Sequence, residues 1–378
     1  MSNDAHMKRI FGLDLMRALA ILFVILAHMR TFWVNQFPGL RNFSIFGYWG
    51  VELFFVLSGF LIGGILIRCH EKGDSIRDFW IRRWFRTLPN YYLFLSINML
   101  LAATLLQRPA GNWTYWLFGQ NLFYKMPSFF PESWSLTVEE WFYLLTPLLI
   151  YSLSRVLRSL KKAVIITILS IMVSSLALRI GLVLTADPMW DIGIRKITLL
   201  RLDSLMFGIL GAWLSHYYKP LWNQLRTKGV NLGLVLTFLS ILLYFLMDKN
   251  VSFFSRTLYF NLTSLAFFCF LPMLSSWQTN QNKIISAFIT RISIWSYSLY
   301  LCHYIIMLLF LKYSPDAMQL SITGKICLSL SWLATSLLVS MLTYHYFEKP
   351  MTSLRDRPKL IQNNKHGNYP QSNIRARQ

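Results

Sequence analysis

Charged residues are scarce in this chain. Asp, Glu, Lys and Arg make up 14% of its 378 residues, whereas hydrophobic residues make up 55%. A soluble protein needs more polar surface than this to cover itself, but lipid needs none. The composition therefore excludes an ordinary soluble domain. Acidic residues are the rarer kind, with 16 against 37 basic ones, and the basic excess raises the question of a nucleic-acid partner.

Cysteine is scarce as well, and the four cysteines show neither pairing nor metal-ligand spacing. We therefore expect no disulfide and no metal site.

A cleavable signal peptide is not expected, because the first apolar run is too long and no small-residue cleavage site follows it. The sequence shows no internal repeat and no inverted symmetry of its two halves, which disfavours a secondary transporter.

Long apolar runs dominate what the chain does contain. A bilayer core of about 30 Å is crossed by about 20 helical residues. The sequence predicts an all-α, polytopic membrane protein with about ten transmembrane helices, at roughly 12–34, 48–67, 88–106, 136–154, 163–185, 195–216, 229–247, 254–275, 289–311 and 322–346. The aromatic stretch 113–124 is too short to span and is predicted to be interfacial or re-entrant.

The basic residues set the predicted orientation. With a cytoplasmic N-terminus, the inner segments hold 24 of the 37 lysines and arginines, as the positive-inside rule requires. Both termini are therefore predicted to be cytoplasmic, and the basic excess needs no nucleic acid. We expect a cytoplasmic segment at 1–10, a transmembrane domain at 11–350 and a basic, disordered tail at 351–378 near anionic lipid.

Ionisable residues inside membrane helices are costly and often functional. Arg17 and His28 of the first helix are eleven residues apart, so they share one face at a separation of about 16 Å. Histidine is suited to general-base catalysis near neutral pH, and Asp14 is placed to pair with Arg17. The alternative is that Arg17 snorkels to the inner interface and His28 lies at the outer one.

Carboxylates near the outer ends of two helices are the predicted partners of this histidine. Glu52 begins the second helix at the level of His28, where a carboxylate would fix the imidazole tautomer. Glu52 would equally suit a helix N-terminus, which favours negative charge, and both interpretations stay open. Glu139 begins the fourth helix and is the other carboxylate predicted to orient His28.

An arginine cluster precedes the third predicted helix. Arg82, Arg83 and Arg86 lie in a predicted inner loop, and guanidinium groups suit phosphate. Taken alone, such a cluster is more typical of a basic patch that holds topology.

Further polar residues are predicted to support an acceptor site. Glu139 and Glu140 beside Trp134 suggest a sugar-facing edge, although Ser135 or Thr137 would also cap the helix with a glutamate. Ser296, Tyr300 and His303 are spaced along one side of the ninth helix, and Arg201 lies within the sixth. His303 is a second candidate base, and a structural hydrogen bond to another helix explains it equally well.

Six motifs in order connect these residues to a known family. LDLMRALAILFVILAH, GVELFFVLSGFLI, RRWFRTLP, WSLTVEEWFYLLTP, SYSLYLCH and FEKP resemble acyltransferase family 3, whose members modify bacterial surface and secreted saccharides. The resemblance covers about residues 10–351. The family's arginine–histidine motif falls on Arg17 and His28, its arginine pair on Arg83 and Arg86, and its Trp-Ser-Leu turn with glutamate on 134–139. Glu52 stands where aspartate is frequent, and Trp141 where glutamine is.

The resemblance implies a cytoplasmic acyl-CoA donor and an outer glycan acceptor. We expect transfer of an acyl group, most simply acetyl from acetyl-CoA, to a hydroxyl of a free or lipid-linked saccharide such as lipopolysaccharide O-antigen or exopolysaccharide, in the bacterial inner membrane. Acyl-CoA would be a co-substrate, with no bound cofactor. The expected residues are His28, Glu52 and Glu139 for catalysis, Arg17, Arg83 and Arg86 for the donor, and Trp134, Ser135, Glu140, Tyr300, His303 and Arg201 in support.

Two other functions fit the same sequence. A transporter or flippase of a lipid-linked glycan would explain the helices and the buried charges, but not an arginine cluster aligned with a histidine. A structural subunit of a polysaccharide synthesis complex would need His28 and Glu139 only for stability.

Overall fold

A computed structural model of the protein describes residues 9–314 and 319–354. These residues form a helical bundle and include no β-strand. The first seven helices are α1 (Phe11–Met29), α2 (Ser44–Glu71), α3 (Ile76–Leu101), α4 (Trp134–Leu157), α5 (Leu160–Ala186), α6 (Leu202–Tyr217) and α7 (Lys219–Leu246). The others are α8 (Phe253–Arg256), α9 (Tyr259–Phe268), α10 (Leu271–Ser276), α11 (Lys283–Tyr313), α12 (Ile322–Thr343) and α13 (Lys349–Leu354).

Within the described ranges, 8 helical segments are long and apolar enough to cross a membrane. They contain α1, α2, α3, α5, α7, α9 with α10, α11, and α12 with α13. The two other predicted spans correspond to α4, which carries Glu139, Glu140 and Arg155, and to α6, which has only 16 residues. The all-helical, multi-span character is therefore confirmed, whereas ten spans and the orientation of the termini stay predictions.

Successive long helices run in opposite directions through the bundle. We call the end where α1 begins the proximal end and the end where α1 finishes the distal end. At the proximal end, His216 near the end of α6 bonds Glu71 at the end of α2, at 2.7 Å. At the distal end, Ser44 at the start of α2 bonds Tyr244 near the end of α7, at 2.7 Å.

Glycines bring α2 and α6 into backbone contact at the centre of the bundle. A Cβ atom on Gly59 would lie 2.0 Å from the carbonyl oxygen of Leu205, and one on Gly208 would lie 2.2 Å from that of Val56. Small residues permit such close approach between membrane helices. Side chains on α2 and α6 are therefore held close to each other near this crossing.

The structure corrects the start of the third helix. α3 begins at Ile76, where the Ser75 hydroxyl accepts a hydrogen bond from the Arg77 amide at 3.0 Å, so Arg82, Arg83 and Arg86 lie on a helix and not in a loop. The prediction from hydropathy placed the boundary too late, because arginines lower the local hydropathy without interrupting an amphipathic helix. The helix extends beyond the predicted apolar run and carries one of its arginines inward.

Three other boundaries differ from the prediction. The predicted helix at 254–275 is divided into α8, α9 and α10, and the sixth helix begins at Leu202. The stretch 113–124 contains only a 3₁₀ helix at Trp113–Leu117, in keeping with its shortness. The last helix reaches Leu354, so the predicted tail starts too early; its remainder, and most of the predicted segment 1–10, lie outside the described residues.

Candidate active site

Two histidines from different helices meet in the distal half of the bundle. His28 is near the end of α1 and His303 lies on α11. Nε2 of His303 is 3.3 Å from Nδ1 of His28, and the ring centroids are 4.8 Å apart. His303 is fully buried, whereas His28 is half-buried and lines a cavity. The structure therefore brings the two predicted base candidates into contact.

Backbone carbonyls set the tautomer of both imidazoles. Nδ1 of His28 is 2.9 Å from the carbonyl oxygen of Val24, and Nδ1 of His303 is 3.1 Å from that of Leu299. A carbonyl can only accept, so each Nδ1 carries the proton. Nε2 of His303 then accepts from the Nδ1–H of His28. Nε2 of His28 has no hydrogen-bond partner among residues 9–314 and 319–354, and its lone pair can take a proton from a group in the cavity.

Buried polar side chains lie along one side of α11, from Ser293 in the proximal half of the bundle to Tyr300 and His303 in the distal half. We call this row the α11 stripe. Ser293 bonds Asp14 at 2.8 Å, Tyr300 bonds Ser135 at 2.7 Å, and the stripe ends at His303. Ser293 and His303 are ten residues apart, which corresponds to about 15 Å of helix rise. Buried polar groups are costly unless they are hydrogen-bonded, so this stripe provides a satisfied polar route through an apolar bundle.

The proximal part of the stripe lies beside Arg17. Asp14 bonds Arg9 at 2.6 Å and lies 3.8 Å from Arg17, which confirms the predicted proximity of Asp14 and Arg17. Arg9, Arg83 and Arg86 all lie within electrostatic range of Arg17. The three arginines predicted to bind the donor are therefore gathered in one basic cluster.

Arg83 reaches from α3 into the bundle. Its Nη2 donates to the Tyr143 hydroxyl, and its guanidinium carbon lies 4.0 Å from the centroid of that ring. The Tyr143 hydroxyl lies 2.9 Å from Oε2 of Glu139 and 2.8 Å from Oγ of Ser58. Glu139 thus belongs to the Arg83 cluster, and the hydrogen bonds of His28 among the described residues do not include it. The predicted orientation of His28 by Glu139 is not seen.

Glu52 is also placed differently from its predicted role. Its Oε1 binds Nη2 of Arg201 and its Oε2 accepts from the Ser264 hydroxyl at 2.9 Å, with the Glu52–Arg201 pair fully buried. Beside it, Arg179 bonds Asp203 at 2.7 Å. Glu52 forms no hydrogen bond with His28 in the described part of the chain. The prediction that it orients His28 is wrong, because Arg201, which sequence spacing does not connect to it, takes the carboxylate.

The remaining predicted supports surround the distal half. Ser135 and Tyr300 bond each other, and the Tyr300 hydroxyl donates to the carbonyl of Glu132 at 2.9 Å. Trp134 is buried, and the guanidinium carbon of Arg195 lies 5.0 Å from the centroid of its ring. Glu140 is buried beside Thr87 of α3.

The capping alternative for the glutamates of α4 is wrong. The helix begins at Trp134, so Ser135 and Thr137 lie inside it. The residue before it, Ser133, makes no side-chain capping bond. Ser135 and Thr137 instead contact Tyr300 and Gln120. Their hydroxyls serve tertiary contacts.

A distal cavity of about 410 Å³ opens beside His28. This volume falls within the range of roughly 300–1,000 Å³ that small-molecule sites occupy. The loops before α4 and after α1, α5 and α7 meet around it. Its aromatic lining consists of Tyr48, Trp190, Tyr244, Tyr300 and Tyr304. Flat aromatic rings beside hydrogen-bonding groups suit the faces and hydroxyls of a sugar.

Glu132 faces this cavity without a partner. The residue is 5% exposed, and neither carboxyl oxygen has a hydrogen-bond partner among the described residues. Burial raises the pKa of Glu132 to about 8, since desolvation disfavours the charged form. Phe130, two residues earlier, adopts a left-handed φ of 45°, a conformation costly for a non-glycine residue. The turn is held in this geometry and points Glu132 inward.

Sequence reasoning missed the charged residues of the cavity. These are Arg30, Glu132, Asp191, Arg195, Lys196 and Lys249. A signal was present, because the four basic residues lie toward the predicted outer side, against the positive-inside bias. The sequence does not show that these distant positions surround one cavity.

Comparisons with known proteins give the family. The acyltransferase domain model of acyltransferase family 3 matches residues 10–345. The chain is 32% identical over 160 residues to the peptidoglycan O-acetyltransferase OatA of Listeria monocytogenes, covering 37% of this chain and 24% of that protein. It is 26% identical over 394 residues to a candidate O-acetyltransferase of Staphylococcus aureus, covering 94% of this chain and 60% of that protein.

The chain thus spans less than two thirds of the length of these curated relatives. No solved structure matches it. The family model nevertheless covers nearly all of the transmembrane bundle, and the six motifs lie within or directly after the matched range. This chain is a multi-pass membrane protein that belongs to acyltransferase family 3.

Proposed function

We propose that this chain transfers an acyl group, most simply acetyl, from acyl-CoA at the proximal end to a saccharide hydroxyl in the distal cavity. The observation that carries the proposal is the position of His28. Its unprotonated Nε2 belongs to a residue on the cavity wall, and its Nδ1 contacts the far end of the buried α11 stripe. The basic cluster lies at the other end of that stripe.

The basic cluster suits the phosphates of the donor. Arg17, Arg83 and Arg86 offer guanidinium groups, which bind phosphate oxygens through paired hydrogen bonds. Arg17 and His28 are separated by about 16 Å along α1, a depth that the pantetheine arm would bridge. The thioester would then lie near the imidazole while the nucleotide stays at the proximal end.

The chemistry is a direct acyl transfer with His28 as general base. The saccharide hydroxyl oxygen attacks the thioester carbonyl carbon, and its proton passes to Nε2 of His28. The carbon–sulfur bond breaks, and the departing thiolate takes this proton to give free CoA and an acyl ester. His303 holds the Nδ1–H of His28 and stabilises the transient imidazolium. General-base catalysis contributes about 10²–10⁴-fold, and positioning supplies much of the rest.

The acceptor we propose is a bacterial cell-envelope saccharide such as peptidoglycan, lipopolysaccharide O-antigen or exopolysaccharide, reached across the cytoplasmic membrane. Peptidoglycan is included because two similar proteins are named as peptidoglycan O-acetyltransferases. The proximal end would face the cytoplasm, where acyl-CoA is made. Family membership favours this enzymatic account over a glycan flippase or a structural subunit.

The test is acyl transfer from labelled acetyl-CoA in membranes that contain the full chain. We expect His28→Ala to lose at least about 100-fold of the activity while accumulating in the membrane normally. His345→Ala is the matched control, because His345 is exposed and lies outside the site. Turnover by His28→Ala close to that of the control would remove His28 from the mechanism.

A further inference from the structure

The charges around the distal cavity are unbalanced. Its lining contains four basic side chains, Arg30, Arg195, Lys196 and Lys249, and two acidic ones, Asp191 and Glu132. With both acids ionised the formal charge is four minus two, or +2, and with Glu132 protonated it is +3. The sequence predicts a bias toward basic residues at the opposite end of the bundle, so topology does not explain this excess.

One acid neutralises only part of the basic lining. Asp191 binds Arg195 at 2.6 Å and Lys196 at 2.8 Å. Burial raises the pKa of Asp191, but the two cations outweigh this and hold it below its usual range. Asp191 is therefore ionised and shared by two cations, which leaves one positive charge over at this wall of the cavity.

The other two cations are not paired directly with a carboxylate in the described part of the chain, although Asp191 lies within electrostatic range of Arg30. Neither Arg30 nor Lys249 forms an ion pair with any residue in the described ranges, 9–314 and 319–354. Nε of Arg30 is buried without a hydrogen-bond partner, and Nζ of Lys249 lies 3.5 Å from the ring centroid of Tyr244. Both side chains are half-buried. An unpartnered donor of this kind is costly unless a ligand completes it.

We infer that the acceptor of this enzyme is an anionic saccharide, whose carboxylate or phosphate group binds Arg30 and Lys249 while its hydroxyl faces His28. This inference rests on the proposed function and names its acceptor class. The aromatic walls bind the sugar ring, and Glu132 faces its polar edge. Carboxylate and phosphate share the required chemistry, since both accept charge-assisted hydrogen bonds from arginine and lysine.

Equilibrium binding to the purified full chain tests this without requiring turnover. The probes are trigalacturonate and its methyl ester, which differ in charge but share their ring hydroxyls, and maltotriose with and without one phosphate. We expect at least one anion to bind about tenfold or more tightly than its neutral counterpart. Preference for only trigalacturonate, or for only phosphorylated maltotriose, identifies which anionic group is recognised.

Variants locate the effect. Arg30→Gln combined with Lys249→Gln should reduce the preference for the anion to about threefold or less, leaving binding of the neutral sugar within about twofold. Arg41→Gln is the control, because Arg41 is an exposed arginine of the same end and does not line the cavity. Equal binding of anionic and neutral sugars by the unaltered chain would overturn the inference, as would full retention of the preference in the double variant.

The same samples separate this inference from the proposed function. Acyl transfer from labelled acetyl-CoA to neutral and anionic acceptors alike, without charge preference in binding, would reject the anionic acceptor and keep the acyltransferase. Selective binding of the anion without acyl transfer to any acceptor would reject the proposed reaction. Selective binding with transfer to the anionic acceptor supports both.

Discussion

Nε2 of His303 lies 3.3 Å from Nδ1 of His28, so the second imidazole accepts a hydrogen bond from the Nδ1–H that the Val24 carbonyl fixes on the first. We expect His303→Leu to lower kcat about 10- to 100-fold with little change in KM for acyl-CoA, since the donor cluster is distant. His303→Gln should retain more activity than His303→Leu, because its amide oxygen can accept the same hydrogen bond. Steady-state kinetics in membranes measure both.

The pH profile separates positioning from mere packing. Because His303 accepts a hydrogen bond from the Nδ1–H of His28 and so acts on the basicity of its Nε2, the loss of His303 should shift the acidic limb of the dependence of kcat on pH. His345→Gln should leave that limb in place. A His303→Leu enzyme with an unchanged pH profile, or with a lower melting temperature as its only defect, would assign His303 a structural role.

Arg83 and Arg82 are adjacent on α3 but face different environments. Arg83 contacts Tyr143 inside the bundle, whereas Arg82 is exposed. Lysine keeps the charge and loses the planar fork, so Arg83→Lys should raise KM for acyl-CoA about tenfold and leave kcat within about threefold. Arg82→Lys should leave both constants unchanged. Equal effects of the two substitutions would indicate a general surface-charge effect in place of a donor site.

The Glu52–Arg201 pair is a stability element in this structure. Both side chains are completely buried, with 0% accessible surface. Removing one partner therefore leaves the charge of the other buried and uncompensated. We expect Arg201→Ala to destabilise the protein by about 3–5 kcal/mol, measured as thermal unfolding in detergent. The double variant Glu52→Gln/Arg201→Met should recover part of that loss. An Arg201→Ala protein with normal stability would contradict this assignment.

Glu132 should make stability depend on pH. Its folded pKa of about 8 lies above the value of about 4.3 for an exposed glutamate, so between these values the folded chain holds a proton that the unfolded chain has lost. Stability contributed by this proton is full at low pH and is lost as pH rises toward 8. Glu132→Gln should therefore flatten the pH dependence of unfolding and be more stable than wild type at pH 8, by about 1 kcal/mol or more.

The control for this prediction is Asp78→Asn, which removes an exposed carboxylate. This substitution should leave the slope of the unfolding free energy against pH, between about pH 5 and pH 8, as it is in wild type. If Glu132→Gln has the wild-type slope, then Glu132 is ionised in the folded protein at neutral pH.

The helical architecture was predictable because an apolar run about 20 residues long has few alternatives to a membrane helix. The helix boundaries were less predictable, because hydropathy depends on composition and not on the hydrogen bonds that begin or end a helix. Arg83 shows this: its charge removed the start of α3 from the predicted span, although Ser75 caps the helix well before it.

Pairing of charged side chains was predictable only within one helix, where sequence spacing decides it. Asp14 and Arg17 are three residues apart on α1 and were predicted together. Glu52 and Arg201 are 149 positions apart and meet through the glycine contact of α2 with α6, which sequence periodicity does not specify. The cavity charges, Arg30 and Lys249 among them, come from separate loops and were missed for the same reason.

The most direct test of the account uses sealed vesicles of defined orientation, with labelled acetyl-CoA on one face and an impermeant saccharide acceptor on the other. If the α11 stripe connects a proximal donor site to a distal acceptor cavity, label will reach the acceptor only when acetyl-CoA faces the proximal end and the saccharide faces the distal end. Equal transfer with donor and acceptor confined to the same face would contradict the account.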